Sequence, residues 1–410
     1  MAIPFDVNRS KIITNITTLF SGSAIAQGMT ALTLLLTARQ LQVDGYGQYA
    51  ACITLTSMLS ILFSLGLDIW LLREGGKSTE RIGGLAGSVL SIKASLGLIW
   101  IIILFTIAPQ LNQQSFPTSL LRWSVILLWS DTLFATCLTS FKSALRNQTP
   151  SVLEASADSA WFGLTLVLMI YGLVRPEAYM QVRVLVSLIA LTISLVLLLR
   201  RFHLRFDASI AREALAGFFH FAASDFLGML TMRADVVIIS VTLGKTATGL
   251  YSPAVGLVNM GFLAPMAIYW VMLPVLSNLY KHHTEQAHKT AFRTIILSLA
   301  IGFSLTILYF ICAPLVVRLL GPSFTDSVEV LRILSLVLLF KCGSFAMATI
   351  LVAKNHQAKR ALIQAIAVTF NILVNLLIVY TYGINGVAMV YVLTEVLLFS
   401  GYTWFVWRTR

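Results

Sequence analysis

Apolar residues run in long unbroken stretches along this chain, each closed by a short polar or Gly/Pro-containing turn. Twelve stretches stand out, near 12–37, 49–72, 83–108, 119–144, 151–172, 178–199, 213–242, 253–277, 290–318, 326–352, 361–381 and 386–407. A helix needs about 20 apolar residues to cross a bilayer, so each is read as a transmembrane span. The runs are continuous rather than alternating, which excludes the strands of a membrane barrel. The pattern predicts an all-α membrane protein with twelve transmembrane helices. No turn exceeds about 15 residues, so no extramembrane domain is expected and the bundle itself must do the work.

Composition agrees. Of 410 residues, 58% are hydrophobic and only 11% charged, with a mean hydropathy of +0.85. Soluble domains carry roughly 25% charged residues. Soluble enzymes, DNA-binding modules and disulfide scaffolds are therefore excluded. Cys52, Cys137, Cys312 and Cys342 stand alone in apolar runs and read as small hydrophobes. His282, His283 and His288 share a basic turn, and no metal site is expected there.

The 29 Lys and Arg residues test the span count. With the N-terminus inside, nineteen fall on cytoplasmic segments, seven on the opposite side and three within spans. This bias supports twelve spans with both termini cytoplasmic. The net charge of +12 then reflects topology and contact with anionic lipids, not nucleic-acid binding.

Three short landmarks recur along the chain. Gly47-Gln48-Tyr49 matches Gly249-Leu250-Tyr251 at an offset of 202, and Arg146-Asn147-Gln148 matches Lys354-Asn355-His356 at 208. Tyr171-Gly172-Leu173 matches Tyr382-Gly383-Ile384 at 211. Six helices per half put both halves into the membrane from the same side, as parallel repeats. The expected organisation is an N-terminal six-helix lobe (1–199), a cytoplasmic linker (200–212) and a C-terminal six-helix lobe (213–410), around a central cavity.

Charges inside a bilayer cost at least ~2.5–3.5 kcal/mol each on insertion scales, so they must face a partner or a cavity. The deep set is Lys93, Asp131, Asp225, Arg233, Asp235, Lys341 and Glu395. Asp225, Met229 and Arg233 share one helical face, whereas Asp235 looks elsewhere. Internal ion pairs account for such residues singly; for the set, a cavity with a cationic component is the better reading. Such a cavity suits an anionic substrate, with Arg offering a bidentate fork and Lys a point charge. Asp131, Asp225, Asp235 and Glu395 are candidates for proton or sodium coupling, and the sequence does not choose among them. Pro265 and Pro274 interrupt the eighth span and suit either a gating kink or a static bend. Gly83, Gly84, Gly87, Ser88 and Ser91 form a small-residue face read as close helix packing.

These features come together in a recognisable pattern. Thr37-Ala38-Arg39-Gln40-Leu41 leads to Gly45-Tyr46-Gly47-Gln48-Tyr49, and Leu65-Gly66-Leu67 is followed by Arg73-Glu74. Arg233-Ala234-Asp235 precedes Gly249-Leu250-Tyr251-Ser252-Pro253-Ala254, then Pro274 and Ser277, and Tyr382-Gly383-Ile384-Asn385-Gly386-Val387-Ala388 closes the series. The chain resembles the polysaccharide transporter (O-antigen flippase-like) family of the multidrug/oligosaccharidyl-lipid/polysaccharide exporter superfamily. The resemblance implies a flippase carrying undecaprenyl-pyrophosphate-linked oligosaccharide across the bacterial inner membrane by alternating access, for surface polysaccharide assembly. Lys93, Arg233, Lys341 and Arg39 would then bind the anionic headgroup. The expected partners are the lipid-linked oligosaccharide, membrane lipids and other polysaccharide-assembly membrane proteins, with no cofactor and no nucleic acid. The rival readings are a multidrug/cation antiporter of the same superfamily, a major-facilitator transporter and a membrane glycan polymerase. The deep cations oppose the first, the sequence Leu72-Arg73-Glu74-Gly75-Gly76-Lys77 the second, and the short external loops the third.

Overall fold

The computed structural model describes residues 9–76, 79–144, 146–354 and 356–408, with side chains left out at 9–25, 79, 217–225, 270 and 274. Helices dominate: α1 (Arg9–Leu59), α2 (Ile61–Ser64), α3 (Leu67–Gly75), α4 (Ile82–Ile107), α5 (Thr118–Ser143), α6 (Gln148–Ile170) and α7 (Pro176–Arg201). They continue as α8 (Ala208–Thr242), α9 (Gly244–Gly261), α10 (Leu263–His282), α11 (Thr284–Cys312), α12 (Leu315–Leu320), α13 (Ser327–Ala353) and α14 (Gln357–Arg408). No strand occurs among the described residues. Nine helical stretches among those residues are long and apolar enough to cross a membrane. The protein is a multi-pass helical membrane protein.

Two of the helical runs are too long for one crossing. The 52 residues of α14 would extend ~78 Å if straight, more than twice the ~30 Å hydrocarbon core. The axis breaks at Gly383, whose φ of 57° lies in the left-handed region, at the turn expected between 381 and 386. In α1 the break falls at Gln42, with φ 58°. A third break separates α2 from α3, where Leu65 and Gly66 both take positive φ (50° and 64°). That conformation costs a non-glycine residue ~1–2 kcal/mol. Between α9 and α10 the helix is interrupted at Phe262. The Pro265 ring would clash with the carbonyl four residues earlier, so the break precedes it. Pro265 therefore stands in the first turn of α10, where its missing N–H leaves no helical bond unmade. Pro274 lies on the α10 backbone, with its side chain outside the described residues.

The chain forms two compact units, one of residues 1–40 and 52–226, the other of 41–51 and 227–410. In the first, Leu67, Trp70, Leu71, Leu85, Val89, Ile210 and Ala214 form a shared apolar cluster. The glycine-rich head of α4 packs against α8 at Gly84, where an added Cβ would lie 3.1 Å from Ile210 Cδ1, and it also receives the backbone of the connector 202–207. A Cβ on Gly83 would lie 2.5 Å from the His203 carbonyl oxygen, and one on Gly87 2.4 Å from that of Arg205. Ser88 Oγ donates to the Asp207 carbonyl oxygen (3.2 Å) and accepts from the Asp207 N–H (3.0 Å), so the connector's polar backbone is met by side chain. Asp207 in turn caps α8, accepting from the Ser209 hydroxyl (2.6 Å) and N–H (2.9 Å). Those bonds, the Ser209 hydroxyl first, hold its carboxyl below the usual range.

In the second unit α13 is the central helix, with 72% of its most apolar window buried against 17% for α11. Met347, Ile350 and Leu351 of α13 meet Leu276, Ile363, Leu398 and Tyr402 in its core. The repeated Gly-x-Tyr landmark also lies in this unit, and it is reciprocal. A Cβ on Gly47 would lie 1.9 Å from the Lys245 carbonyl oxygen, and one on Gly249 2.0 Å from that of Val43. Val43 and Lys245 are themselves 202 residues apart. Asp44 accepts from its own repeat mate, the Thr246 hydroxyl (2.7 Å), and pairs with Lys245 (3.0 Å). The landmark recurs because two segments cross backbone to backbone, and only glycine admits that approach.

Gly47→Ala and Gly249→Ala should therefore each cut the yield of monodisperse protein or lower its melting temperature by ~5 °C or more. Gly163→Ala, where a Cβ meets nothing within 4 Å, should be neutral or slightly stabilising. Thermal melts in detergent compare the three, and a tolerated Gly47→Ala would contradict the crossing.

Candidate functional site

The intramembrane charges resolve into separate clusters. In the first unit, Lys93 on α4 is completely buried, and its ammonium donates to Asp68 Oδ2 at 2.7 Å. It also donates to Thr136 Oγ1 (2.8 Å) and to the Thr132 carbonyl oxygen (3.2 Å). Thr136 closes the ring by donating to Asp68 Oδ1 at 2.7 Å. All three donors of Lys93 are thus spent within its unit. Asp68 stands in the first turn of α3, directly after the Leu65–Gly66 break, and the helix N-terminus favours a carboxylate there.

Asp131 on α5 forms the second cluster. It accepts a short hydrogen bond from the Ser187 hydroxyl of α7 and lies 3.9 Å from the Arg183 guanidinium. That guanidinium sits 4.0 Å over the Trp161 ring, an arrangement that holds a partly desolvated Arg. Eleven residues further along α5, Lys142 pairs with Glu154 of α6 at 2.9 Å. Asp158, on the same helix as Glu154, accepts from Thr30.

The second unit holds two more networks. Lys341 on α13 pairs with Glu395 on α14 at 2.6 Å and lies 5.1 Å over the Phe262 ring. Glu395 is fully buried, and its second carboxylate oxygen has no hydrogen-bond partner among the described residues. Asp235 on α8 is buried and held by neutral donors, the Tyr251 hydroxyl (3.2 Å) and the Asn375 amide (3.0 Å). The Asn375 amide also reaches Asn371 (3.2 Å), whose own amide donates to Thr394 (3.1 Å). Four residues separate Asn371 from Asn375, so one face of α14 carries both.

Of the cations expected to line a cavity, Lys341 reaches one: a space of about 190 Å³ inside the second unit, which Glu395 and Arg360 also line. Arg233 and Arg39 are exposed on their helices. Lys93 is bound into its own ion pair. Asp225 lies among the residues whose side chains are not described. The sequence reading separated Asp235 from the Arg233 face, and one is indeed buried and the other exposed. It did not single out Asp68, Asn371, Asn375 or Arg360. The i, i+4 asparagine pair in an apolar span was a usable signal, as was an Asp directly after Leu-Gly-Leu.

This geometry has recognisable relatives. Residues 12–280 match the family described as "Polysaccharide biosynthesis protein". The chain belongs to that family. No curated protein matches its sequence. Among solved structures, it is similar to an inward-facing multidrug resistance MATE family transporter of the MOP superfamily. There the TM-score is 0.70 at 17% identity, over 94% of this chain and 98% of that one. It is also similar to the lipid II flippase MurJ in an inward closed conformation, with a TM-score of 0.69 at 13% identity over 95% and 87%. A third is a MOP superfamily transporter from Pyrococcus furiosus described as having a binding pocket of reversed polarity, with a TM-score of 0.66 at 13% identity over 96% and 95%. This polysaccharide biosynthesis family member thus shares its fold with these membrane transporters.

The Lys93 cluster carries a stability prediction. Asp68→Ala leaves a fully buried ammonium without its counter-charge, a change that costs about 3–5 kcal/mol in buried pairs. Lys93→Met leaves Asp68, whose side chain is 30% exposed and still hydrogen-bonded by Thr136. Asp68→Ala should therefore lower the melting temperature more than Lys93→Met, and the reverse order would contradict the assignment.

Proposed function

We propose that this protein is a flippase that moves a lipid-pyrophosphate-linked oligosaccharide from the cytoplasmic to the outer leaflet of a bacterial inner membrane. It works by alternating access of twelve helices with both termini inside. Membership of the polysaccharide biosynthesis family is the observation that carries this reading. The second unit's cavity supports it, because Lys341 and Arg360 outweigh Glu395 on its wall and leave a positive charge for an anionic headgroup. Arg233 and Arg39, both exposed, are further headgroup contacts in this reading.

The carboxylates divide by their partners. Asp131 faces Arg183 and Glu395 faces Lys341, so each has a resident counter-charge. Asp235 is held by neutral groups, Tyr251 and Asn375, beside Asn371 and Thr394. A carboxylate among neutral oxygens and amides suits a proton or a sodium ion. Asp235 is therefore our choice for the coupling residue, and Asp131 and Glu395 are structural counter-ions in their resting arrangement. A multidrug/cation antiporter is the second reading, favoured by the fold similarity to the MATE transporter.

Charge removal separates binding from folding. Replacing a buried ion pair by apolar residues of similar volume is often neutral for stability. Lys341→Met combined with Glu395→Leu should therefore keep protein abundance near wild type while reducing surface-glycan export at least tenfold. Full export by this double variant would leave Lys341 a structural role only. Wild-type cells that extrude a cationic dye but accumulate no lipid-linked glycan on gene deletion would favour the antiporter.

A further inference from the structure

The cavity of the second unit has more built into it than the Lys341–Glu395 pair. Its wall comes from four helical faces, each with helix-surface spacing: Thr231 on α8, Lys341 and Ser344 on α13, Arg360 and Gln364 at the start of α14, and Glu395 further along it. By position Arg360 is also one of the nineteen cations on cytoplasmic segments in the twelve-span reading. Here it faces the cavity one turn before Gln364.

The wall's charge does not cancel. Lys341 and Glu395 neutralise each other at 2.6 Å, which leaves Arg360 as a surplus positive charge among these three. Its ring contact is neutral: the guanidinium lies 5.8 Å from the Tyr269 ring centroid. The planar fork retains N–H donors, the geometry that matches phosphate oxygens in pairs.

Two polar atoms on the same wall are buried and unpartnered among the described residues. They are the second carboxylate oxygen of Glu395, on a side chain that is 0% exposed, and the hydroxyl of Ser344, a residue 4% exposed. A buried polar atom without a partner costs about 1–3 kcal/mol, so each favours a ligand that completes it. The carboxylate oxygen can only accept, which calls for a ligand that brings hydroxyl groups. Phe345 and Leu398 add apolar surface suited to the C–H face of a sugar ring. An anion beside hydroxyls is the chemistry of a sugar phosphate.

We infer that this cavity is the subsite for the glycosyl phosphate of the lipid-linked substrate, with Arg360 on the phosphate and Glu395 and Ser344 on hydroxyls of the sugar bonded to it. Gln364 borders both parts and contributes specificity for the sugar. This rests on the transport reading above but assigns residues that the reading itself does not require. A phospholipid headgroup with a glycerol phosphate would share part of this chemistry, and the ring separates the two sources.

Calorimetric titration of the full-length protein in phosphatidylcholine nanodiscs tests the inference, with glucose 1-phosphate, glycerol 1-phosphate and inorganic pyrophosphate as probes. Glucose 1-phosphate should bind at least tenfold more tightly than the other two. Arg360→Gln should weaken it at least tenfold, and Gln364→Leu should weaken glucose 1-phosphate while leaving pyrophosphate unchanged. Equal affinity for all three probes, no binding of glucose 1-phosphate, or an unaffected Arg360→Gln would each overturn the subsite. Arg360→Lys keeps the charge but not the fork; binding intermediate between wild type and Arg360→Gln, with an unchanged melting temperature, separates a lost contact from a lost fold. Glycan export measured in the same strains reports on the transport reading independently. Export by the wild type with unaffected Arg360→Gln binding removes the subsite alone, and absence of export by the wild type removes the transport reading.

Discussion

A charge placed in hydrocarbon must find a counter-charge, a set of dipoles or water, and the buried charges among the described residues answer to that requirement. Lys93 meets it with Asp68, Thr136 and a backbone carbonyl, all inside one unit. Asp131 meets it with Ser187 and Arg183, and Lys341 with Glu395. These groups are settled before any substrate arrives. What is left over is informative: an arginine whose ring contact is neutral, a carboxylate oxygen and a hydroxyl without partners, and an aspartate held by amides and a phenol.

The same constraint acts on the backbone. Where the chain breaks helix, at Gln42, Leu65–Gly66, Phe262 and Gly383, the freed groups must be met close by. At the Leu65–Gly66 break, the Leu65 N–H reaches the Ile61 carbonyl oxygen at 3.1 Å. The connector after α7 lies in a glycine groove on α4 and is tied there by Ser88. The crossing at Gly47 and Gly249 brings two chain segments to a separation that a methyl group would forbid. Glycines here serve both backbone approach, at Gly47, Gly83, Gly87 and Gly249, and helix-on-helix packing, at Gly84, Gly302 and Gly343.

Much of this was legible in the linear chain. Continuous apolar runs placed the helices, because burial in lipid demands about 20 such residues whatever the tertiary structure. The breaks at 38–48 and 382–385 were marked by glycine and polar residues, which have few other uses in a membrane span. The Gly-x-Tyr recurrence flagged residues that the structure brings into reciprocal contact. Charge pairing was harder to read. Lys93 finds Asp68 across 25 positions and Lys341 finds Glu395 across 54, distances over which helical periodicity carries no information. Arg183 and Arg360 lie near helix ends, where position alone reads as topology, so their contacts with Asp131 and Tyr269 are not legible in the sequence. The glycine face of α4 announces a close approach, but composition does not say that a connector backbone comes in beside the neighbouring helix.

As a flippase, this protein alone must move a lipid-pyrophosphate-linked glycan across the bilayer. Proteoliposomes loaded with a fluorescent undecaprenyl-pyrophosphate disaccharide on both leaflets, then exposed to an impermeant glycosidase, measure that directly. Without protein, about half of the substrate should be cut, the fraction facing outward. With the protein and a proton or sodium gradient, cleavage should run to near completion, and Asp235→Asn should hold it near the protein-free level. Cleavage that stays at half with active, correctly folded wild-type protein would contradict the flippase reading.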